Sequence, residues 1–247
     1  DNLKRYTQDR RVYEMWSGGD WKQADRLYAT FTKHGVSPDH IGPMSLGFAH
    51  RAKFRPMTQS ENSSKGNRMS LKDVQVLIAD EKAGEEVITW HSKYIWDKLK
   101  NEVKSDTDAK ALSTLMRTNL HHVLIILSMI YEEGHKDFLM QFLNPEYSYY
   151  DYEFIGFNSE EGTYKDVKQM ERRGKNQENN AKRYERKAFE SLVTYQDKKN
   201  RNNKKWDSKE IDKDVSSILE LLNNKKDAEA KKQLHLTLEN LSKFVEL

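Results

Sequence analysis

A mainly α-helical protein, two-lobed around a buried central helix at about residues 111–131 and with little or no sheet, is predicted by three features of the 247-residue sequence. The stretch ALSTLMRTNLHHVLIILSMIY at 111–131 is the most apolar in a chain that is 33% charged. Elsewhere apolar residues recur at intervals of three and four, the spacing of one helix face. Residues that start and stop helices punctuate those intervals.

The central segment is preceded by Asp106 and Asp108, short acceptors that suit a helix N-terminus. From Val123 to Ile130 it is almost continuously apolar, and a helix apolar on all sides must be covered on all sides. Its length is near the ~20 residues that cross a bilayer. Arg117, His121 and His122 lie inside it, and a charge near mid-bilayer costs roughly 2.5–3.5 kcal/mol. A buried core helix is therefore predicted, with no membrane partner. His121 and His122 are adjacent and point about 100° apart, so they cannot ligate one metal from the same face. One is read as a core histidine and the other as interfacial. No zinc spacing such as HExxH occurs, and no metal, cofactor or catalytic residue is assigned.

The N-terminal helical lobe is placed at residues 1–105. A first helix is expected at 5–16, broken by Gly18 and Gly19, and a second from Asp20 to near Gly35. Ser37, Pro38 and Asp39 read as another helix start. Pro43, Gly47 and Pro56 keep the chain irregular to about residue 69, and SENSSKG at 60–66 reads as a mobile loop. Ser70 with Asp73 resembles a capping box. A further helix is expected over 85–104, acidic at its start and basic at its end.

The C-terminal lobe, residues 106–247, contains the central helix, a stop at Gly134 and a short helix at 135–143. EYSYYDYEFIGF at 146–157 alternates roughly and is the one place where a strand is allowed. A long helical pattern at 164–199, broken near Gly174, and a helical hairpin beyond residue 207 complete the lobe.

Composition narrows the class. The five Trp, twelve Tyr and nine Phe argue against global disorder. No cysteine is present, which excludes disulfides and thiolate metal sites. No signal peptide is read at residues 1–13, and a cytoplasmic setting is expected, of a cell or of a virus within one or its virion.

Function must be sought in charge layout, since no phosphate loop, nucleophile elbow or dinucleotide fingerprint occurs. Residues 165–205 carry fourteen basic against six acidic side chains, while the whole chain nets only +3. Such clustering is the footprint of a phosphate-binding surface. A smaller group, FAHRAKFR at 48–55, interleaves basic and aromatic residues in an expected loop near 48–69. Arg51, Lys53, Arg55, Arg172, Arg173, Lys175, Lys182, Arg183, Arg186 and Lys187 are the predicted nucleic-acid contacts, with Tyr184 or Tyr195 for stacking. The expected function is non-enzymatic, largely sequence-independent binding of single-stranded RNA or DNA, RNA favoured. A plan of two helical lobes with a basic cleft resembles that of viral nucleocapsid and coat proteins, a likeness of architecture that no motif carries. Homo-oligomers would then form through a terminal helix, residues 3–16 or 227–247. One alternative is a phage or plasmid replication or regulatory DNA-binding protein. The other is a metal-dependent nuclease, because Pro38-Asp39 with Asp80-Glu81-Lys82 formally matches PD…(D/E)xK. Glu102-Val103-Lys104 fits the triplet equally well.

Overall fold

The computed structural model describes residues 12–172, 176–197 and 209–247. It is mainly α-helical, as predicted, with two small two-stranded sheets. In chain order its elements are α1 (Trp21–Lys33), β1 (Ser37–His40), β2 (Phe54–Met57), α2 (Gln59–Lys65), α3 (Leu71–Lys82) and α4 (Lys93–Leu99). They continue with α5 (Asp106–Glu132), α6 (Lys136–Met140), β3 (Tyr150–Ile155), β4 (Asp166–Glu171), α7 (Asn176–Asp197), α8 (Lys209–Asn223) and α9 (Asp227–Lys243).

The central helix forms where its pattern places it. Ser105 caps α5 by accepting from the Asp108 N–H, and Gly134 follows its end at φ +88°. Leu120, Val123, Leu124, Ile126, Leu127 and Ile130 pack with Trp16, Phe189, Leu192, Ile218 and Leu234. Met116 and Leu112, one and two turns before Leu120, enter a second core with Phe48, Leu77, Ile95 and Trp96. One helix therefore feeds two buried clusters, which its apolar circumference requires. A third, aromatic cluster joins Phe31 of α1 to Phe54 of β2 and Phe154 of β3. Among the described residues no helix is long and apolar enough to cross a membrane.

Several caps were legible. Asp20 accepts from the N–H groups of Lys22 and Gln23 at the start of α1. Ser70 and Asp73 form the expected reciprocal capping box at the start of α3. The C-terminal hairpin α8–α9 is present, and α9 packs within its own chain against α8, α4 and α5.

Four expectations are corrected. Ser37–His40 is a strand rather than a helix start, because a partner strand fourteen or more residues on pairs with it. SENSSKG lies mostly in α2 rather than a mobile loop, since Thr58 and Glu61 close a capping box ahead of it. The helix expected from residue 85 begins only at Lys93. Residues 87–89 instead run beside 47–49, with Ala49 N–H donating to Val87 O (3.0 Å) and Thr89 N–H to Gly47 O (3.0 Å). Asp166–Glu171, expected helical, is β4, paired along its length with β3.

The crossing of 47–49 over 87–89 depends on one glycine. Gly47 sits at φ +96°, and a Cβ there would lie 2.4 Å from Cβ of Ser92. Gly47→Ala is expected to cost about 1–3 kcal/mol or more, through left-handed strain plus the clash. Denaturant titration reads this as a lower midpoint; an unchanged midpoint would mean that the 41–53 connection is not held against the start of α4.

Candidate active-site cleft

β1, β2 and α2 form a compact hairpin-plus-helix unit. The strands are antiparallel, with Pro38 opposite Pro56, Asp39 opposite Arg55 and His40 opposite Phe54. Two prolines can face each other only at a non-hydrogen-bonded position, since neither has an N–H to offer. A one-residue slip would lose ladder bonds and reverse every side chain, so the pair pins the register. α2 starts directly after β2, its first turn closed by Thr58 and Glu61. Asn62 of α2 then donates through Nδ2 to Ser37 Oγ (2.9 Å) and Pro38 O (3.1 Å). Lys65, one turn on, donates to Asp39 Oδ2 (2.6 Å) and His40 O (3.4 Å). Helix and hairpin are bolted together at these two side chains.

Two buried carboxylates share two cations beneath this unit. Arg55 lies 2.6 Å from Asp73 Oδ1 and 4.0 Å from Asp39 Oδ2, while Lys65 lies 3.4 Å from Asp73 Oδ2. Burial pushes the Asp39 carboxyl above its ordinary value, only partly offset by the Lys65 bond. Burial acts the same way on Asp73, but the Ser70 N–H and the charges of Lys65 and Arg55 outweigh it and hold that carboxyl low. The two environments drive the pair apart, so Asp73 is the fixed anion and Asp39 the adjustable one.

Asp39 and His40 open onto a cleft of about 870 Å³. One wall is β1 and the turn after it, Ser37 to Ser45. Asn62, Ser63, Gly66 and Asn67, from α2 and the turn beyond, form the rim, and Tyr13 and Tyr28 lie at its edges. The opposite wall is α5, through Thr114, Arg117, Thr118, His121 and His122. The volume falls in the range of small-ligand sites, about 300–1,000 Å³.

His40 is half-buried, its ring edge-on to Phe54 (centroids 4.8 Å, 90°) and 5.3 Å from the His50 ring. Its Nε2 is closed off from solvent, and the residue lines the cleft. Lys65 and Arg55 both meet Oδ2 of Asp39, which leaves Oδ1 as a hard oxygen donor. The Asn62 amide uses its nitrogen on β1, leaving its carbonyl oxygen. Among the described residues no group of three or more His, Cys, Asp or Glu is arranged to hold a metal. A carboxylate and an amide oxygen suit magnesium, which binds through one or two carboxylates and keeps several waters.

The predicted contacts lie elsewhere. Arg51 reaches Asp80 (2.6 Å) and Glu85, and Lys53 reaches the same two carboxylates (2.7 and 3.1 Å). With Arg55 they form internal ion pairs along the hairpin, and FAHRAKFR runs into β2 rather than staying a loop. Arg172 pairs with Asp151 (3.1 Å), whose carboxyl Arg26 and Arg172 pull down to about 2 against the effect of burial. Arg173 and Lys175 lie outside the described residues. Lys182, Arg183 and Arg186 are exposed on one face of α7, with Arg186 and Lys187 sharing Glu190 (3.6 and 2.7 Å). Tyr184 is a core residue, stacked on Trp21 (4.8 Å, 3°) with its hydroxyl on Met15 O (3.2 Å), so it has no free face for a base. Tyr195 is equally buried, 5.8 Å from the His121 ring.

The formal PD…(D/E)xK match does not assemble. Asp80 serves Arg51 and Lys53, and Glu81 serves Lys100 (2.5 Å) and Lys93 (3.8 Å). None of Asp80, Glu81 and Lys82 lines the cleft. Of that set only the Pro38-Asp39 pair does, and the companions of Asp39 there are His40 and Asn62, which sequence reasoning passed over. A signal was available: Asp39-His40 lies twenty-two residues before Asn62, with Pro, Gly and a capping box marking a turn and a helix start between them.

Comparison with known proteins gives one match. The family model described as Type II restriction endonuclease (RE_Alw26IDE) matches residues 1–241. No curated protein and no solved structure matches the chain. The family match overturns the expectation of a non-enzymatic, RNA-favouring nucleocapsid or coat protein. A nucleic-acid partner stands, and the family implies DNA rather than RNA. Charge clustering had reported phosphate affinity, which a coat protein and a nuclease share; it carries no information about chemistry.

Proposed function

The chain belongs to the type II restriction endonuclease family, and on that premise we propose that the cleft beside β1 is where a phosphodiester of duplex DNA is hydrolysed. The observation that carries the proposal is the placement of Asp39, His40 and Asn62 by one braced hairpin-and-helix unit at the wall and rim of a single cleft. His40 is the general base: its imidazole takes a proton from a water as the water oxygen bonds to phosphorus, and the bond from phosphorus to a sugar oxygen breaks. Phe54 and His50 fix the plane of that imidazole. Asp39 and Asn62 hold a divalent cation, and Lys65 orients Asp39 through Oδ2. A bound cation supplies Lewis-acid charge to the phosphate oxygens. The exposed cations of α7, Lys182, Arg183 and Arg186, with Lys187 beside them, contact the duplex backbone away from the cleft.

Duplex cleavage with magnesium, with EDTA, and in Asp39→Asn tests the proposal. Cleavage is expected only with the metal, and Asp39→Asn should lose about 10²-fold or more in rate while still binding DNA. Full activity in EDTA, or in Asp39→Asn, would place the reaction elsewhere.

A further inference from the structure

We infer that Arg117 is a positioning residue that grips one phosphate of the DNA strand lying in the cleft. The inference rests on the reading of that cleft as the cleavage site, and names how the substrate is held there.

α5 buries thirteen side chains, yet one of its faces is polar. Positions 114, 117, 118, 121 and 122 follow the i, i+3, i+4, i+7, i+8 spacing of a single stripe, and all five line the cleft opposite Asp39 and His40. Core packing explains the remaining faces, where thirteen side chains are buried. It does not explain this one.

Within the stripe, donors are unequally available. The Thr114 hydroxyl donates to Lys110 O (3.2 Å) and the Thr118 hydroxyl to Thr114 O (3.1 Å). A hydroxyl has one proton to give, so neither can also donate to a phosphate. His121 meets the Tyr13 hydroxyl through Nε2 (3.4 Å) and the edge of Tyr195, which ties it to the aromatic side of the cleft. Arg117 differs. Its Nη2 donates to Asn67 O (2.8 Å), which draws the guanidinium onto the rim formed by the end of α2. A guanidinium has five N–H donors in a fixed fork, and one contact leaves most of them.

Charge separates Arg117 further. Arg55 and Lys65 are committed to Asp39 and Asp73, and Arg51 and Lys53 to Asp80 and Glu85. Among the described residues no carboxylate lies within ion-pair distance of Arg117. A half-buried cation on a cleft wall, fixed by one backbone oxygen and uncompensated by an anion, matches a phosphate that arrives with the substrate.

The test uses Arg117→Gln, which keeps an amide donor for Asn67 O and removes the charge, beside Arg117→Lys and His40→Ala. Duplex affinity is measured as salt is raised, alongside KM and kcat. Arg117→Gln is expected to weaken binding about tenfold at moderate salt and raise KM. It should also flatten the slope of log affinity against log salt by about 0.9, the loss of one phosphate contact. Arg117→Lys should restore the slope but only part of the affinity, since charge returns without the fork. Methylphosphonate substitution, one phosphate at a time, should reveal one position at which Arg117→Gln no longer matters. An unchanged slope in Arg117→Gln, with or without weaker binding, would overturn the inference. If His40→Ala abolishes cleavage while Arg117→Gln keeps the wild-type slope and KM, only this inference fails. If His40→Ala cleaves like the wild type, the cleavage site itself is wrongly placed.

Discussion

Replacing His40 by alanine is expected to lower the single-turnover rate of duplex cleavage by about 10²–10⁴-fold, the contribution of a positioned general base. The expectation follows from geometry. His40 ends β1 one residue after Asp39, in a register fixed by the Pro38–Pro56 pair. Its ring is held edge-on by Phe54 at the wall of the cleft. Binding to the duplex should change little, because the contacts proposed to hold the backbone lie on α7 and α5. Cleavage of a labelled duplex at saturating protein, with affinity measured by anisotropy, separates the two quantities. Since the ring also packs against Phe54 and His50, thermal melting must accompany the assay, and His40→Gln supplies a variant that fills more of the space. A variant that folds, binds and still cleaves within a few-fold of wild type would remove His40 from the reaction.

The largest effect on stability is expected at Asp73. Its carboxylate is 1% exposed and faces Arg55 (2.6 Å) and Lys65 (3.4 Å), while also closing the capping box of α3 on the Ser70 N–H (3.0 Å). Asp73→Ala leaves two cations beneath the hairpin with only Asp39 between them. Breaking a buried pair by removing one partner costs about 3–5 kcal/mol. For a chain of this size each kcal/mol lowers Tm by about 2–4 °C, so calorimetry should show a fall of roughly 10 °C. The same group gives a pH dependence of definite sign. Its folded carboxyl holds a proton less tightly than that of the unfolded chain. The stabilisation is therefore complete above the unfolded value of about 3.9 and disappears as pH falls through the lower folded value. Asp73→Ala should accordingly flatten the acid side of the stability profile, and a wild-type acid limb in the variant would mean that other carboxylates dominate it.

Much of the helical framework was legible because its signals are local. The apolar run at 123–130, the acceptor residues Asp20 and Ser70, and the stop at Gly134 each act within a turn or two of the residues they organise. The aromatic alternation at 146–157 likewise marked β3. The hairpin was not legible. SPDH reads as a helix start until FRPM, fourteen or more residues later, pairs with it, and four-residue strands offer too few positions to show a period of two.

The candidate site failed for a related reason. Basic residues can be counted in sequence, but whether a cation is available depends on which carboxylates surround it in space. Arg51, Lys53 and Arg55 were chosen for their charge, and the fold turns each toward Asp73, Asp80 or Glu85. Tyr184 was chosen for its ring, and the fold stacks it beneath Trp21. Arg117 was noted only as a reason to reject a membrane span.

By itself the sequence determined a mainly helical protein and a buried central helix with one charged interruption, and it pointed to a nucleic-acid partner. These follow from periodicity, capping chemistry and local clustering of charge, which are additive and short-ranged. Only the tertiary structure decided that Asp39, His40 and Asn62 share a cleft, that most nearby cations are neutralised, and that the polar face of α5 looks across at them. Such facts are set by contacts between residues tens of positions apart, and no local preference encodes them.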